Sequence, residues 1–401
     1  MTGALRSREL WTDPYPAFAA LRTGAPVHQF DERAYAVSTW RQVAEAVSRV
    51  DDFSNHFRYT LFTADDGALR AIETGGAGPD VFAGADPPVH TAHRRIFLAE
   101  FAAAKVAGLE PYVTALTGTL LDRLLQRDRC DVADGLAAPL PTRVIAEVIG
   151  FQEPDVHLLR QWVAAGSRLG GGLLTLADMA ARRHEVAEMS TWTAAQVDDA
   201  LAGPGADGLL GATIDAVRAG SLSRDQAIFN LMVLVGAGAE TTTGLIGIAI
   251  SLLAQHEGLQ AELRAAPAKV APFIEEVLRF ESPFRFHPRT VARPCLLGDA
   301  ELPAGALVLL LWASANRDPA VFDRADEIVL DRDNAHLHFG FGRGVHHCIG
   351  AQLARLEARV VVQRLLARTR SFALDPSQPE RWAESLWVHR HDALPLVVEP
   401  A

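Results

Sequence analysis

The sequence predicts a mainly helical α+β protein with a minor β component, and three observations support this prediction. Helical spacing of apolar residues dominates the chain, strand-like alternation is confined to short runs, and no Pro-, Gly- or Ser-rich boundary splits the 401 residues. An apolar fraction of 49% with 22% charged residues excludes intrinsic disorder. We therefore expect residues 1–401 to form a single domain.

The elements follow from these patterns in chain order. Alternating residues over 26–38 predict a strand pair. Helices are predicted over 90–101, 109–125, 141–149, 156–165, 225–254, 270–280 and 350–368, and further strands over 290–297, 307–312 and 394–398. The glycine-rich stretch 166–172 predicts a mobile connection over a pocket.

The long apolar segment 227–253 is long enough to span a bilayer. However, Asn230, Glu240 and the threonines 241–243 interrupt it, and a carboxylate at a bilayer centre costs about 2.5–3.5 kcal/mol on insertion scales. The segment is therefore interpreted as a buried central helix, apolar on all sides. An ionisable residue in such a helix requires a function or a buried partner.

Composition and missing motifs exclude several classes of protein. The net charge of −11 argues against binding to nucleic acid or to an anionic membrane. Three separated cysteines argue against disulfide scaffolds and zinc fingers. No G-K-[ST] loop or G-x-S-x-G elbow is present. The first 18 residues contain no apolar run, so we expect no signal peptide, no membrane anchor and a cytoplasmic protein.

The strongest chemical signal is the glycine-rich loop that ends at Cys348. Gly342 and Gly344 allow positive φ and close approach to a flat ligand. Amides of the loop and of the following helix are expected to point at the sulfur and lower its pKa. An axial metal ligand fits better than a nucleophile. The alternatives are a buried apolar cysteine, a dinucleotide-binding turn, or a zinc site built by Cys348 with His336, His338, His346 and His347.

This loop resembles the cysteine-ligand loop of the cytochromes P-450, the haem-thiolate monooxygenases, in the pattern F-G-x-G-x-H-x-C-x-G. The resemblance implies the soluble bacterial type, with haem b buried between the long central helix and this loop. Cys348 would be the iron ligand. It also implies that Gly350 and Ala237 contact the haem.

A second motif, Ala237 to Thr242, resembles the oxygen-activation signature of the same family. The resemblance implies that Ala237 or Gly238 leaves room for O2. Glu240 and Thr241 would be catalytic, because oxygen activation consumes two protons that must be relayed from solvent. The alternatives are a Thr241 hydroxyl bonded to the Ala237 carbonyl and a structural salt bridge at Glu240.

A third motif, Glu276 and Arg279, resembles the family's E-x-x-R, and its spacing places both side chains on one helix face. The resemblance implies a buried structural triad with Arg332 that holds the Cys348 loop. An exposed surface pair is the alternative.

The resemblance also implies which residues hold the two haem propionates, which need positive charge and hydrogen-bond donors. These are His90 and Arg94 at a helix start, Arg289 after the E-x-x-R helix, and His346 in the loop. Each would otherwise be a surface cation.

The family arrangement places several segments at the substrate pocket. They are residues 59–85, 166–176, Leu234, Ala237, the segment Phe284, Arg285, Phe286 and His287, and the turn at Trp387 and Val388. These segments are mostly apolar, so we expect an apolar or amphipathic small organic substrate. Arg285 is a candidate for pairing with a substrate carboxylate, and the alternative is an ion pair with Glu281.

No flavin or iron–sulfur domain is apparent, so the resemblance implies a separate ferredoxin and ferredoxin reductase supplied by NAD(P)H. Arg94 or Arg95, Arg343 and Arg355 could dock an acidic ferredoxin. The implied reaction inserts one oxygen atom of O2 into a C–H bond. The alternatives are coupling, desaturation, or a haem- or ligand-binding protein that kept the fold.

Overall fold

The computed structural model describes residues 5–56, 58–74 and 80–401. Its helices are α1 Ser7–Thr12, α2 Tyr15–Gly24, α3 Trp40–Ser48, α4 Val89–Leu98, α5 Ala103–Gly108, α6 Glu110–Leu124, α7 Pro139–Ile149, α8 Val156–Gly170, α9 Leu176–Ala202, α10 Gly208–Arg218, α11 Arg224–Gln255, α12 Glu257–Ala265, α13 Val270–Phe280, α14 Trp312–Ala315 and α15 Ala351–Arg368.

The strands are short. They are β1 Val27–Asp31, β2 Ala34–Val37, β3 Phe53–Ser54, β4 Tyr59–Thr63, β5 Leu69–Glu73, β6 Arg129–Asp131, β7 His287–Val291, β8 Cys295–Leu297, β9 Ala300–Leu302, β10 Leu307–Leu310, β11 Thr369–Leu374, β12 Arg381–Trp382, β13 His391–Ala393 and β14 Pro395–Pro400. The largest sheet has the order β1-β2-β10-β7-β3, and only its β2–β10 pair is parallel.

Helix α11 runs through the centre of the helical region. A capping box starts it, because the Ser223 hydroxyl accepts the Gln226 N–H and the Gln226 side chain accepts the Ser223 N–H. Helices α7, α8, α9 and α15 pack around it, so almost every side of its C-terminal half is buried. This burial explains why the segment is apolar on all sides.

The five-stranded sheet lies beside this helical core and carries an apolar cluster on each face. Val37, Val308 and Leu310 belong to one cluster, and Ala36, Leu307 and Leu309 belong mainly to the other. Residues two apart on a strand share a face, as the pleat requires. The sheet positions His287 at the start of β7 and Trp312 just after β10.

The predicted mainly helical fold with small sheets is confirmed, and each predicted helix exists. Two predictions were wrong. The strand expected over 290–297 is two strands, β7 and β8, because Pro294 between them has no N–H for a ladder. The connection expected over 166–172 is helical as far as Gly170, so only a short turn joins α8 to α9.

Within the described residues, one helix, α11, is long and apolar enough to cross a membrane by length and composition. Of its most apolar window, 72% is buried inside the fold. Such burial is what the central helix of a folded core requires.

Candidate active site

The loop before α15 folds as its glycines predict. Gly342 and Gly344 have φ of +62° and +71°, in the left-handed region that glycine adopts without strain. Gly342 also packs against Trp312, where an added Cβ would lie 3.3 Å from the ring. The Cys348 N–H donates to the Phe341 carbonyl at 2.8 Å, which closes the loop and presents the sulfur to an internal cavity.

The thiol of Cys348 differs from expectation in one respect. Burial raises its pKa above the ordinary value, although the Gly350 backbone N–H, Arg94 and Arg355 act in the opposite direction. The expected hydrogen bond from the helix start is therefore present, but it does not make the thiolate the favoured form in the protein alone. A bound metal ion would remove the proton, because coordination deprotonates a thiol outright.

The cavity lies between the Cys348 loop and α11. Its lining includes the predicted Leu234, Ala237, Thr241, Phe284, Arg94, His346, Cys348 and Gly350. It further includes Asn55, Phe82, Ala83, Ile145, Val233, Gly238, Leu245, His287, Trp312, Leu353, Ala354 and Glu357. Ring-sized, mostly apolar space thus separates the sulfur from the central helix.

The zinc interpretation of this region was wrong. In the part of the chain that the structure describes, no three His, Cys, Asp or Glu side chains come together as metal ligands. His336 instead faces the Asp333 carbonyl, and His338 contacts Glu275. The loop therefore offers Cys348 alone as a ligand.

On α11, Ala237 and Thr241 face the cavity one helical turn apart. The Thr241 hydroxyl donates to the Ala237 carbonyl at 2.6 Å, which is the bond expected of a structural threonine. Gly238 has a packing role, because an added Cβ would lie 2.9 Å from Cγ1 of Ile145 on α7. The free space beside the helix therefore lies at Ala237.

Glu240 does not share this cavity with its neighbour Thr241. It is buried, and its carboxylate accepts Nε of Arg390 at 2.7 Å. Arg390 also bonds Asp392, and these three residues line a second, polar cavity that holds Asp134 and Glu188. The salt bridge considered from the sequence is thus present, and it lines the second, polar cavity.

The four predicted propionate residues gather at one end of the first cavity. The His90 ring lies 4.1 Å from the His346 ring, and burial lowers the pKa of His346 to about 3. Nη2 of Arg94 donates to the His347 carbonyl at 2.6 Å. Arg289 lies behind the cavity wall, where burial lowers its pKa to about 10 and Nη1 contacts His287 Nδ1 at 2.6 Å.

Sequence reasoning missed three residues of the cavity lining. Trp312 is buried with an unpaired Nε1 and stacks on His287, with ring centroids 5.2 Å apart. Asn55 has an unpaired Oδ1 and approaches His346. Glu357 is buried, and burial raises its pKa well above the usual range. The available signal for Trp312 was its position just after the apolar strand β10. No sequence pattern indicated a role for Asn55.

The unpaired atoms fit a haem. Both ring nitrogens of His90, Nε2 of His346 and Nε1 of Trp312 are buried without a partner among the described residues. Trp312 and each neutral imidazole carry one N–H donor, and buried donors are normally satisfied, so these N–H groups require acceptors from a ligand. Two propionate carboxylates would supply such acceptors at this end, while Cys348 lies on the proximal wall.

The E-x-x-R pair is fully buried and Arg332 joins it. Glu276 Oε1 contacts Nε of Arg279 at 2.6 Å and Nε of Arg332 at 3.0 Å. Arg279 also donates to the carbonyls of Ala325 and Glu327, each at 2.7 Å. The triad therefore binds the irregular segment before the Cys348 loop, and an exposed pair is excluded.

The neighbouring residue, Glu275, contacts the segments on both sides of the loop, His338 before it and Arg355 on α15 after it. It contacts Arg355 at 2.7 Å and His338 at 3.2 Å. Burial alone would raise the pKa of Glu275, but these two partners lower it to about 2. Arg355 in turn lies over the Phe341 ring at 4.5 Å.

Four of the predicted substrate residues do not line the cavity, namely Arg285, Phe286, Trp387 and Val388. The Arg285 guanidinium is buried and donates to the Trp11 carbonyl at 3.1 Å, and its Nη2 contacts His389 at 2.8 Å. Phe286 packs in the apolar cluster under the sheet. Phe284 thus faces the cavity, whereas Arg285 faces the N-terminal helices.

The ion pair considered for Arg285 is not formed either. Glu281 contacts Arg317 at 2.9 Å, His389 at 3.0 Å and the Tyr15 hydroxyl at 2.7 Å. Burial opposes ionisation of Glu281, yet these neighbours lower its pKa to about 2.

Trp387 and Val388 support the cavity wall from behind. Trp387 stacks on Phe284 with ring centroids 5.1 Å apart, and Val388 pairs with Phe284 through a backbone bridge. The segment 59–85 forms the β4–β5 hairpin and supplies Phe82 and Ala83 to the lining, while its residues 75–79 lie outside the described chain.

The predicted docking arginines lie around the Cys348 loop. Arg343 and Arg355 border an open groove with His347. Arg95 is exposed on α4, one residue beyond Arg94. Arg343 and Arg355 thus share one groove beside the loop.

A cysteine presented to a flat, mostly apolar cavity beneath a buried helix, with orphaned donors at one edge, defines a haem-thiolate protein. The comparisons agree with this class. The family model for cytochrome P450 matches residues 195–388. Cytochrome P450 144 of Mycobacterium tuberculosis is 36% identical over 390 residues, which cover 96% of this chain and 89% of that protein.

The monooxygenase PikC of Streptomyces venezuelae is 34% identical and covers 98% of this chain and 93% of its own length. Among solved structures, CYP109E1 of Bacillus megaterium with testosterone superimposes with a TM-score of 0.86 at 26% identity, over 98% of this chain and 99% of that one. The chain belongs to the cytochrome P450 family. It is an oxygenase that takes haem b and receives electrons from NAD(P)H through redox partners.

Proposed function

We propose that this cytochrome P450 inserts one oxygen atom of O2 into a C–H bond of a neutral, apolar small organic molecule. The observation that carries the proposal is the cavity beside Cys348. Its wall towards α11 is apolar at Val233, Leu234, Ala237 and Phe284. A pocket with that lining selects ligands by shape and apolar contact.

A charged substrate is disfavoured. Arg94 is the one arginine or lysine among the described lining residues, and it is bonded to the His347 carbonyl on the loop side. With Arg285 turned away, a substrate carboxylate would lack a partner, and an unpaired buried charge is costly. The testosterone bound by the Bacillus megaterium relative is a neutral, apolar molecule and supports the same class here.

Haem supplies the oxygen chemistry when it is bound, and the chain supplies its environment. Cys348 would be the iron ligand, with Gly350 and Ala237 close to the ring on opposite walls. His90, Arg94, Arg289 and His346 would hold the propionates, and we add Trp312, whose Nε1 is an unpaired donor. Glu276, Arg279 and Arg332 would brace the segment that leads into the loop.

Protons would reach the reaction by Thr241 and Glu240. The Thr241 hydroxyl faces the cavity and holds its proton on the Ala237 carbonyl, from which rotation of the side chain would release it. The Glu240 carboxylate faces the second, polar cavity, where it can take protons from solvent. Arg390 would hold that carboxylate in place through its contact of 2.7 Å.

Replacing Thr241 with Val tests this role. Val keeps the volume and removes the hydroxyl, so oxidised product per NADH consumed should fall by roughly tenfold or more, while haem content is unchanged. Product and hydrogen peroxide are measured in parallel. Equal product yield in Thr241→Val would contradict the proposal. Thr193→Val, which also removes a buried hydroxyl bonded one turn back but lies outside both cavities, is the matched control.

The electron donor is proposed to be an acidic ferredoxin with its reductase, which docks near Arg95, Arg343 and Arg355. We further propose that residues 1–401 act as one cytoplasmic catalytic domain. The ferredoxin and the reductase that supply its electrons would be separate proteins. An affinity for ferredoxin that falls steeply with salt would support this docking.

The haem-thiolate assignment is tested on the purified protein. Reduced protein with carbon monoxide should give the absorption band typical of thiolate-ligated haem. The Cys348→His variant should lose that band while retaining some haem through the cavity. Protein without haem, or an unchanged spectrum in Cys348→His, would overturn the proposal. Thiolate-type haem without oxidation of any apolar ligand would favour a binding protein instead.

A further inference from the structure

Asn230 is a fully buried amide on the apolar helix α11 and lies outside the cavity lining. Its neighbours Ala227, Ile228 and Leu231 are buried apolar residues. Packing alone would be served by an apolar side chain at this position. The amide therefore requires another explanation, since a buried polar group stabilises a fold only through its partners.

Both polar groups of Asn230 are satisfied. Nδ2 donates to the Gln226 carbonyl at 2.7 Å, within the helix. Oδ1 accepts the backbone N–H of Phe82 at 2.9 Å, from a segment 148 residues away in the chain. Phe82 lies outside any helix or strand, so its N–H has no ladder partner and depends on this side chain.

Phe82 is part of the cavity wall. Its ring lines the cavity and packs on Phe97 of α4, with ring centroids 5.3 Å apart. Leu234 lies one turn after Asn230 on α11 and lines the same cavity. The hydrogen bond thus fixes the distance between two wall elements, the helix and the segment that carries Phe82.

The next residue of this segment is held from the other side. Nδ2 of Asn55 donates to the Ala83 carbonyl, and the Asn55 N–H donates to Asp86 at 2.8 Å. Asn55 also approaches Nδ1 of His346, at 3.4 Å. Two buried asparagines therefore clamp Phe82 and Ala83 between α11 and the haem-edge histidine.

We propose that Asn230 is a specificity-determining positioning residue, which sets the size of ligand that fits the cavity by anchoring Phe82 without touching the ligand. This inference rests on the proposed function, because it assumes that ligands bind between the haem and α11. Asn230 acts through Phe82, so its loss should affect large ligands more than small ones.

Two iron-binding probes separate these effects. Imidazole is small, whereas 4-phenylimidazole adds a phenyl ring that must also fit within the cavity walls, of which Phe82 is one. The dissociation constants of both probes are measured from the absorption shift of the haem. Their ratio reports the position of the cavity wall, because changes common to both probes cancel. In Asn230→Leu, the affinity for 4-phenylimidazole should fall by roughly tenfold relative to the affinity for imidazole. This is the factor that loss of one buried hydrogen bond produces.

Gln260→Leu is the matched control. Gln260 is also a buried amide that joins two segments, since Nε2 donates to the Leu253 carbonyl at 2.8 Å and to the Phe372 carbonyl at 2.7 Å. It lies outside the cavity lining. Its replacement should lower stability comparably but leave the probe ratio unchanged.

Asn230→Asp tests the acceptor itself, because a protonated aspartic acid keeps one acceptor for Phe82 and one donor for Gln226. It should retain a ratio near that of the natural protein. If Asn230→Leu does not fold, Asn230→Ala removes the same bonds without added bulk. Hydrogen exchange of a peptide containing Phe82 should become faster in either variant.

The outcomes are distinguishable. An unchanged ratio in Asn230→Leu or Asn230→Ala, or an equal change in Gln260→Leu, would overturn this inference while leaving the proposed function intact. If imidazole itself produces no haem absorption shift, the proposed function fails first.

Discussion

At the scale of single residues, His389 shows how burial fixes a protonation state. Nδ1 contacts Nη2 of Arg285, a permanent donor, so the proton of the neutral ring lies on Nε2, facing Glu281 at 3.0 Å. Burial is the main cause that lowers the pKa of His389, to about 4. A second proton would bring two donors face to face at Nδ1.

The stability of the protein should therefore fall with acid in a defined window. The unfolded imidazole takes up a proton near pH 6.5, whereas the folded one resists until about pH 4. His389 therefore contributes at most about 3 kcal/mol to the free energy of unfolding. This contribution is fully present above pH 6.5 and is lost as the pH falls towards 4.

His389→Gln tests this window, because Gln can donate to Glu281 and accept from Arg285 without titrating. Its unfolding midpoint should depend less on pH between 6.5 and 4 than that of the natural protein. Parallel profiles for the two proteins would contradict the assignment. His336→Gln, at an exposed imidazole, serves as the control.

The chemistry of single residues was predictable where one motif fixes one position, as at Cys348 with its flanking glycines. It was not predictable for Arg285, because the direction of a side chain on an extended segment depends on the partners around it. Trp11, from the N-terminal helices, supplies one such partner 274 residues away. Trp312 was missed for the same reason, since its role depends on the cavity that other segments build.

At the scale of elements, the contact between α7 and α11 depends on a missing side chain. Gly238 allows Ile145 to lie against the α11 backbone, and a Cβ at residue 238 would approach Ile145 within 2.9 Å. Interiors are packed too tightly to absorb such an overlap without cost. Gly238 therefore sets the spacing of two helices that both line the haem cavity.

Gly238→Ala should destabilise the protein by about 1–3 kcal/mol, the usual cost of overpacking. Ile145→Ala removes the clashing atoms, so the double variant should be less destabilised than the sum of the two single variants. Thermal unfolding of all four proteins measures this coupling. Strict additivity would show that the two residues do not interact.

Helix prediction succeeded for α11 and α13 because each buries a broad apolar face. It failed for α9, a helix of 27 residues, because only Met179, Met189, Thr193, Val197 and Ala200 are buried along it. So sparse a stripe leaves little apolar periodicity to read. The cap at Thr175, whose hydroxyl accepts the Asp178 N–H, was the remaining signal.

At the scale of the whole molecule, two distant segments hold the turn between α8 and α9. The hydroxyl of Thr63 on β4 donates to the Gly172 carbonyl at 2.9 Å, and the Thr63 N–H donates to the Leu174 carbonyl at 3.0 Å. From the C-terminal region, the Leu386 N–H donates to the Gly171 carbonyl at 2.8 Å. The turn between α8 and α9 is thus held to both segments.

Thr63→Val should loosen this turn, because it removes the side-chain bonds to Gly172 and Ser7 and keeps the backbone one. Hydrogen exchange of a peptide that contains residues 171–174 should become faster by roughly threefold to tenfold. Thr60→Val on the same strand is the control, since the Thr60 hydroxyl has no bonded partner in the described structure. An unchanged exchange rate in Thr63→Val would show that the Thr63 side chain does not hold the turn.

Contacts of this range could be expected only through the family resemblance. Periodicity reports which face of an element is buried, whereas the partner of that face is set by the path of the whole chain. The expected placement of haem beside the central helix followed from three motifs in order. The α8–α9 turn was predicted to be mobile, but it is held by hydrogen bonds to two other segments.

Helix α11 separates the mostly apolar first cavity from the polar second cavity. Residue 241 faces the first cavity and residue 240 faces the second. A ligand that fills the first cavity therefore leaves the second cavity and the Glu240 carboxylate uncovered. Under the proposed function, binding of a large substrate and access of solvent to Glu240 would not compete for the same space.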